Sequence, residues 1–319
     1  MPGSVSSDTS YYLEGVDHAG FRNRRWRIHR RRYRCAFGYA GQSGQWTDSS
    51  CGAKADLEAL GITPILGSLE DTGLLIMQAA AADAVINAAD SDHQGAIDAV
   101  LAALAGSGKA FLHTSGSSIV GDASGGLPSD AIYDEDTLPM PTPDKVARVA
   151  IDTKVRDAVH RGVRSVVLCN TLIYGHGVVP GTRSVQLPRL VGQAKKSGVV
   201  RHVGPGVNRW SNVHIDDVAE LYALALEKAD RAPGASFFFV ESGEASFRDM
   251  TAAIATALHL GVAQDWPLDA AKEEWGYEMA SYALGSNSRV RSKYTRSQLG
   301  WQPRRTSVID WIIGEMVAT

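Results

Sequence analysis

From Ile62 to Cys169 the chain alternates short apolar runs with longer helical stretches, and this rhythm limits its fold more than any other feature. Ile62-Thr-Pro-Ile-Leu66, Ala84-Val-Ile-Asn-Ala88, Ala110-Phe-Leu-His-Thr114 and Ser165-Val-Val-Leu-Cys169 have the length and composition of strands. Before and between them Ala53–Leu60, Leu69–Ala82, Gln94–Ala105 and Val146–Arg161 read as helices, three of them stopped by Gly61, Gly106 and Gly162. Strands without polar alternation are covered on both faces, which indicates a parallel sheet between helical layers. Right-handed crossovers then give a doubly wound α/β core. A Pro- and Gly-rich loop runs from Gly116 to Pro143. Beyond Tyr174 the rhythm loosens into what reads as a small C-terminal substrate subdomain. The expected organisation is an irregular segment 1–52, a doubly wound core 53–175, and remaining core elements plus the smaller subdomain over 176–319.

The formal net charge of -3 hides an asymmetry. Eight arginines lie in Arg22-Asn-Arg-Arg-Trp-Arg-Ile-His-Arg-Arg-Arg-Tyr-Arg34, which leaves the rest of the chain acidic. Cys35, Cys51 and Cys169 have no paired spacing. That excludes a disulfide framework, offers no metal motif and fits a reducing, cytoplasmic setting. No apolar stretch reaches the roughly 18 residues of a membrane span. The arginines are not followed by an apolar segment, so the N-terminus is not a secretory signal; an Arg- and Ser-rich transit peptide is the weaker alternative.

Four stretches carry candidate chemistry. Asn87, Ala88 and Ala89 end a strand with small residues, where open α/β sheets bind ligands; packing alone also accounts for them. Thr114-Ser115-Gly116-Ser117-Ser118 follows an inner strand with several hydroxyls that suit a substrate carbonyl or alcohol; a serine-rich turn is the plainer reading. Asn170-Thr-Leu-Ile-Tyr174-Gly175 follows the next strand. In Trp210-Ser-Asn212-Val-His214-Ile-Asp216-Asp217, Asn212 and His214 read as loop polars. Asp216 and Asp217 read as first-turn helix residues with a structural role.

In this order and spacing, and with the ending Arg291-Ser-Lys-Tyr-Thr-Arg-Ser-Gln-Leu299-Gly300-Trp301-Gln-Pro303, these pieces resemble the short-chain dehydrogenase/reductase superfamily, in an atypical NAD-dependent epimerase/dehydratase (extended) form. The resemblance covers about Ala53 to Trp311. It implies a Rossmann-like fold, NAD or NADP as cofactor, hydride chemistry on a small hydroxyl or carbonyl substrate, and subunit pairing as a homodimer. It places Asn87, Ala88, Ala89, Thr114, Tyr174 and Gly175 at the cofactor. It places Ser115 or Ser117, with Arg148, in the catalytic position. The departures are equally specific. The family's Tyr-x-x-x-Lys falls on Asp144-Lys-Val-Ala-Arg148, without a tyrosine; Tyr133 is a remote substitute. The family's serine falls nearest Gly116, its acidic residue after the third strand is Ser68, and its Arg-Pro is Asn170-Thr171. A nucleotide-sensing protein without catalysis is the alternative these losses favour.

The resemblance also expects a glycine-rich phosphate turn where the arginines stand. Tryptophan has one codon, and read one base later it gives glycine. Arginine codons in series give glycine as well. Shifted in this way, Arg22 to Arg31 can read Gly-Thr-Gly-Gly-Gly-Gly-Tyr-Ile-Gly-Gly. We therefore read residues 18–52 as an out-of-frame rendering of the first strand-turn-helix, with 1–17 preceding it. A basic arm for nucleic acid is the competing reading. On the frame-shift reading the chain as written lacks the glycines that let backbone approach a pyrophosphate, its first strand is missing or poor, and its cofactor affinity is expected to be low.

Overall fold

The computed structural model describes residues 10–14, 35–39, 58–60, 62–178, 184–228 and 236–317. The strands are β1 (Ser10–Glu14), β2 (Cys35–Tyr39), β3 (Thr63–Gly67), β4 (Ala84–Asn87), β5 (Ala110–Gly116), β6 (Arg164–Asn170), β7 (Leu172–Tyr174), β8 (Arg201–Val203), β9 (Arg209–His214), β10 (Ser236–Val240), β11 (Gly243–Ser246) and β12 (Gln264–Trp266). Seven form one sheet in the order β10-β6-β5-β4-β2-β1-β3. β2, β4 and β5 run parallel, as the apolar runs predict. β1 is antiparallel to both β2 and β3, so the sheet is mixed at this point. The expectation of a segment without strands over 1–52 is corrected here. β2 stands beside β4, in the place where the first strand is expected to be missing or poor. Its sequence, Cys-Ala-Phe-Gly-Tyr, is a five-residue run with neither alternation nor helical period, so periodicity does not reveal it. Most of the helix expected at Ala53–Leu60, and the whole arginine run, fall outside the described residues.

The chain divides into two compact units. The first comprises 1–115, 150–167 and 226–236. Here helix Thr72–Ala81 starts at Asp71, whose Oδ1 accepts the Leu74 N–H at 2.9 Å. The expected start at Leu69 moves because Ser68 to Asp71 forms a turn closed by Asp71 N–H to Ser68 O. Helix Gln94–Leu104 starts at His93, whose Nδ1 accepts the Ala96 N–H. Leu69, Leu75, Ala96 and Ala99 form a small apolar cluster.

The second unit comprises 116–149, 168–225 and 237–319. Its three-stranded sheet runs β11-β9-β7, and β8 pairs with β12. Its core gathers Leu172, Tyr174, Leu190, Trp210, Phe247 and Trp311 with their neighbours. Asn212 and His214 lie in β9 rather than in a loop, and both are buried. Every residue from Trp210 to His214 is buried, polar ones included, so the strand shows no alternation. The structural role expected of Asp217 holds: its carboxylate accepts the N–H groups of Arg304 and Arg305 from the first turn of helix Ile215–Glu227. The long loop after β5 is tied to the stretch 285–291: Asn287 donates to Asp122 and Leu127, Gly126 N–H to Gly285 O, and Arg291 N–H to Tyr133 O.

A half-buried carboxylate orders the same stretch. Glu244 on β11 meets Arg209, Arg289 and Arg291 at 2.7, 3.1 and 3.0 Å. Burial pushes its pKa up, but hydrogen bonds from Arg289 and Arg209 and the charge of Arg291 outweigh that and hold it at about 2. A depressed carboxylate pKa stabilises the fold above the unfolded value and loses that contribution as pH falls through the folded one. Unfolding free energy is therefore expected to drop by on the order of 3 kcal/mol between about pH 4.5 and 2. Urea titrations of the parent and of Glu244→Gln across this range check it, since the substituted chain should lose that part of the slope.

Candidate functional site

In the first unit the carboxyl end of β4 is shaped by Asn87. Its Nδ2 donates to Asp90 O and to His113 Nδ1, both at 3.1 Å, and its Oδ1 accepts the Ala89 N–H at 3.2 Å. The amide thus holds the turn that follows, leaving Ala88 exposed and Ala89 half-buried at the strand end. With Nδ1 of His113 accepting, the ring proton sits on Nε2, 3.5 Å from Asp152 Oδ1. Asp152 Oδ2 accepts from Ser115 Oγ at 2.7 Å. Asn87, His113, Asp152 and Ser115 therefore form one chain of contacts, and the last three are buried. A pocket lined by Leu69, Leu75, Ala79, Ile86 and Ile97 opens beside Asn87.

In the second unit the strand end at Gly116 leads into the short turn Ser117–Val120. Ser117 is buried and bonded to Ser288, whose Oγ donates to its carbonyl and lies 2.8 Å from its hydroxyl. Both serines offered by the sequence, Ser115 and Ser117, are thus enclosed and already paired. Arg148 instead reaches Ser118: Nη1 donates to Ser118 Oγ at 2.9 Å. A Cβ on Gly116 would stand 3.5 Å from the same Nη1, so the guanidinium lies in front of the position where the resemblance puts a serine. Ser118 and Thr114 are half-buried.

Tyr174 and Gly175 do not offer an open surface. Tyr174 is fully buried, donates to Arg305 O at 2.9 Å and stacks edge-on with His214. Burial, and then the charge of Asp217, pushes its phenol pKa far up. Gly175 has φ 112°, and a Cβ there would meet His214 Nε2 at 2.7 Å. Glycine is required at that turn by packing. Sequence reasoning gave no role to Asp152 or His113. Asp152 stands four residues after Arg148, one helical turn on, and that spacing was the available signal.

Among the described residues, the small side chains Ala88 and Ala89 at a β-strand's carboxyl end leave room for a dinucleotide to approach the backbone. The expected pyrophosphate turn lies outside them. Among the described residues no group of three His, Cys, Asp or Glu side chains suits a metal ion. No helix there is long and apolar enough to cross a membrane.

The model of the NAD dependent epimerase/dehydratase family matches residues 74–238, and the chain belongs to that family. It is 28% identical over 257 residues to the uncharacterised protein YLL056C of Saccharomyces cerevisiae, covering 76% of this chain and 80% of that one. It is 28% identical over 271 residues to the oxidase ucsJ of Acremonium sp, covering 74% and 78%. Its fold is similar to that of the dTDP-glucose 4,6-dehydratase DesIV of Streptomyces venezuelae, solved with NAD bound, with a TM-score of 0.60, 18% identity and coverage of 77% and 76%. The function class is accordingly NAD-dependent oxidoreductase or epimerase.

Replacing Asp152 by alanine leaves Ser115 Oγ and His113 Nε2 facing an empty buried space. The expected loss is about 2–4 kcal/mol of unfolding free energy in urea titrations, with Asp152→Asn recovering part of it.

Proposed function

We propose that the chain is an NAD(P)-dependent oxidoreductase acting on a small carbonyl or hydroxyl compound, with Ser118 and Arg148 holding the reacting oxygen. The observation that carries this reading is the 2.9 Å bond from Arg148 to Ser118 in front of Gly116. A guanidinium fixed by a hydroxyl at a strand's carboxyl end is a preorganised donor for an oxygen that gains negative charge. The bound nicotinamide supplies hydride transfer. Asn87, Ala88 and Ala89 shape the strand end that would receive the adenosine half. Ser115 acts through Asp152 as a positioning residue and does not meet substrate. The nucleotide-sensing alternative is favoured by Asp144, which stands where the resemblance places a proton-donating tyrosine.

Nicotinamide fluorescence titration and turnover with a panel of aldehydes, on the chain as written and on a chain with the glycine-rich turn restored, separate these readings. The restored chain is expected to bind NADH or NADPH at least tenfold more tightly, as an order of magnitude, and to reduce aldehydes. Arg148→Met is expected to lower kcat/KM by roughly a hundredfold. Tight binding without turnover in the restored chain supports the sensor instead. Micromolar affinity in the chain as written contradicts the frame-shift reading.

A further inference from the structure

Asn87 stands directly across from His113 in the parallel pair of β4 and β5. The orientation of its amide is not free. Oδ1 accepts the Ala89 N–H at 3.2 Å and Nδ2 donates to the Asp90 carbonyl at 3.1 Å, so exchanging nitrogen and oxygen would break both bonds. The second Nδ2 proton goes to His113 Nδ1, 3.1 Å away, and that nitrogen therefore carries a lone pair. The opposite edge of the ring meets a carboxylate. Nε2 stands 3.5 Å from Asp152 Oδ1, and neither atom has a hydrogen-bond partner elsewhere among the described residues. His113 and Ser115 are two residues apart on β5 and project from the same face. Each meets a different oxygen of Asp152, Ser115 Oγ donating to Oδ2 at 2.7 Å. His113 and Asp152 are buried, so the carboxylate's charge is little screened. That charge favours a proton on Nε2 over a lone pair there. In the other tautomer an Nδ1–H would face the Asn87 N–H, and the Nε2 lone pair would face the carboxylate. Both contacts would be repulsive. Asp152 thus selects the one tautomer that lets Asn87 keep the turn of Ala88 and Ala89.

We propose that His113 is a positioning residue for the cofactor: it carries the constraint of Asp152 across to Asn87 and so keeps the Ala88–Ala89 turn in the shape that a dinucleotide meets. The inference rests on the reading above that this strand end receives the adenosine half. His113 itself is fully buried and touches neither cofactor nor substrate. Its effect on cofactor affinity therefore passes through Asn87. An amide can also take its place. Glutamine offers an acceptor oxygen to Asn87 and a donor nitrogen to Asp152, which is the pattern of the Nε2–H tautomer. Phenylalanine keeps a ring of similar size, next to the ring of Phe111 at 6.2 Å between centroids, and offers neither group.

The test is fluorescence titration of NADH or NADPH with the full chain carrying the restored glycine-rich turn, as parent, His113→Phe, His113→Gln, Asn87→Ala and the double variant His113→Phe/Asn87→Ala. His113→Phe is expected to weaken cofactor binding by roughly tenfold, and His113→Gln to recover most of that affinity. The double variant is expected to bind no more weakly than Asn87→Ala, because His113 acts through Asn87. A residue that only fills the core would lower stability in urea without this rescue and without this non-additivity. Unchanged affinity in His113→Phe, no recovery in His113→Gln, or losses that add in the double variant overturns the inference. Should His113→Phe fail to fold, near-parental affinity in His113→Gln beside a roughly tenfold loss in Asn87→Ala supports it, and weak binding by His113→Gln overturns it. A parent that binds neither nucleotide overturns the cofactor reading and this inference with it. Binding is read without turnover, so a parent that binds and reduces no aldehyde loses the oxidoreductase reading alone.

Discussion

The buried carboxylate of Asp152 is the constraint on which the first unit's strand ends depend. It takes a hydrogen bond from Ser115 on β5 and faces His113 two residues earlier on that strand; His113 in turn accepts from Asn87 at the end of β4. A buried polar group without partners is costly, so the bond from Ser115 ties the helix carrying Asp152 to β5. The same amide that closes the chain fixes the turn of Ala88 and Ala89. Positions that look like ligand contacts in the sequence are therefore set by a polar network beneath them.

The second unit solves a related problem with its own C-terminal stretch. The loop after β5 has no regular structure to satisfy its backbone groups, and residues 285–291 supply partners instead. Glu244 gathers three arginines around that stretch. Ser117 is used up in the arrangement through Ser288, whereas Ser118 is turned to Arg148. The reactive capacity of the hydroxyl cluster thus resides in the serine that the buried framework does not claim.

Much of the fold was legible in the chain, and the reasons are physical. Strands β3 to β6 announce themselves because continuous apolar runs bounded by Gly and polar turns have few other uses. The antiparallel placement of β1 was not legible, since five residues carry no record of their neighbour. β9 was misread as loop because burial on both faces erased its alternation. The sequence singles out Asn87 to Ala89 in the first unit and the hydroxyl cluster and Arg148 at the ends of the strands and helix, but it does not assign a partner to each hydroxyl. Which serine meets Arg148 depends on partners more than a hundred residues away, such as Ser288, and no local spacing encodes them.

The central claim is that hydride moves between a nicotinamide and a carbonyl carbon at this site. It is tested most directly by incubating the chain, its glycine-rich turn restored, with NADPH or NADH bearing deuterium at the transferable position and a reducible aldehyde, then reading the alcohol by mass spectrometry. The account predicts one deuterium on the former carbonyl carbon, in step with cofactor oxidation. Cofactor that binds but transfers no label to any carbonyl compound would contradict it.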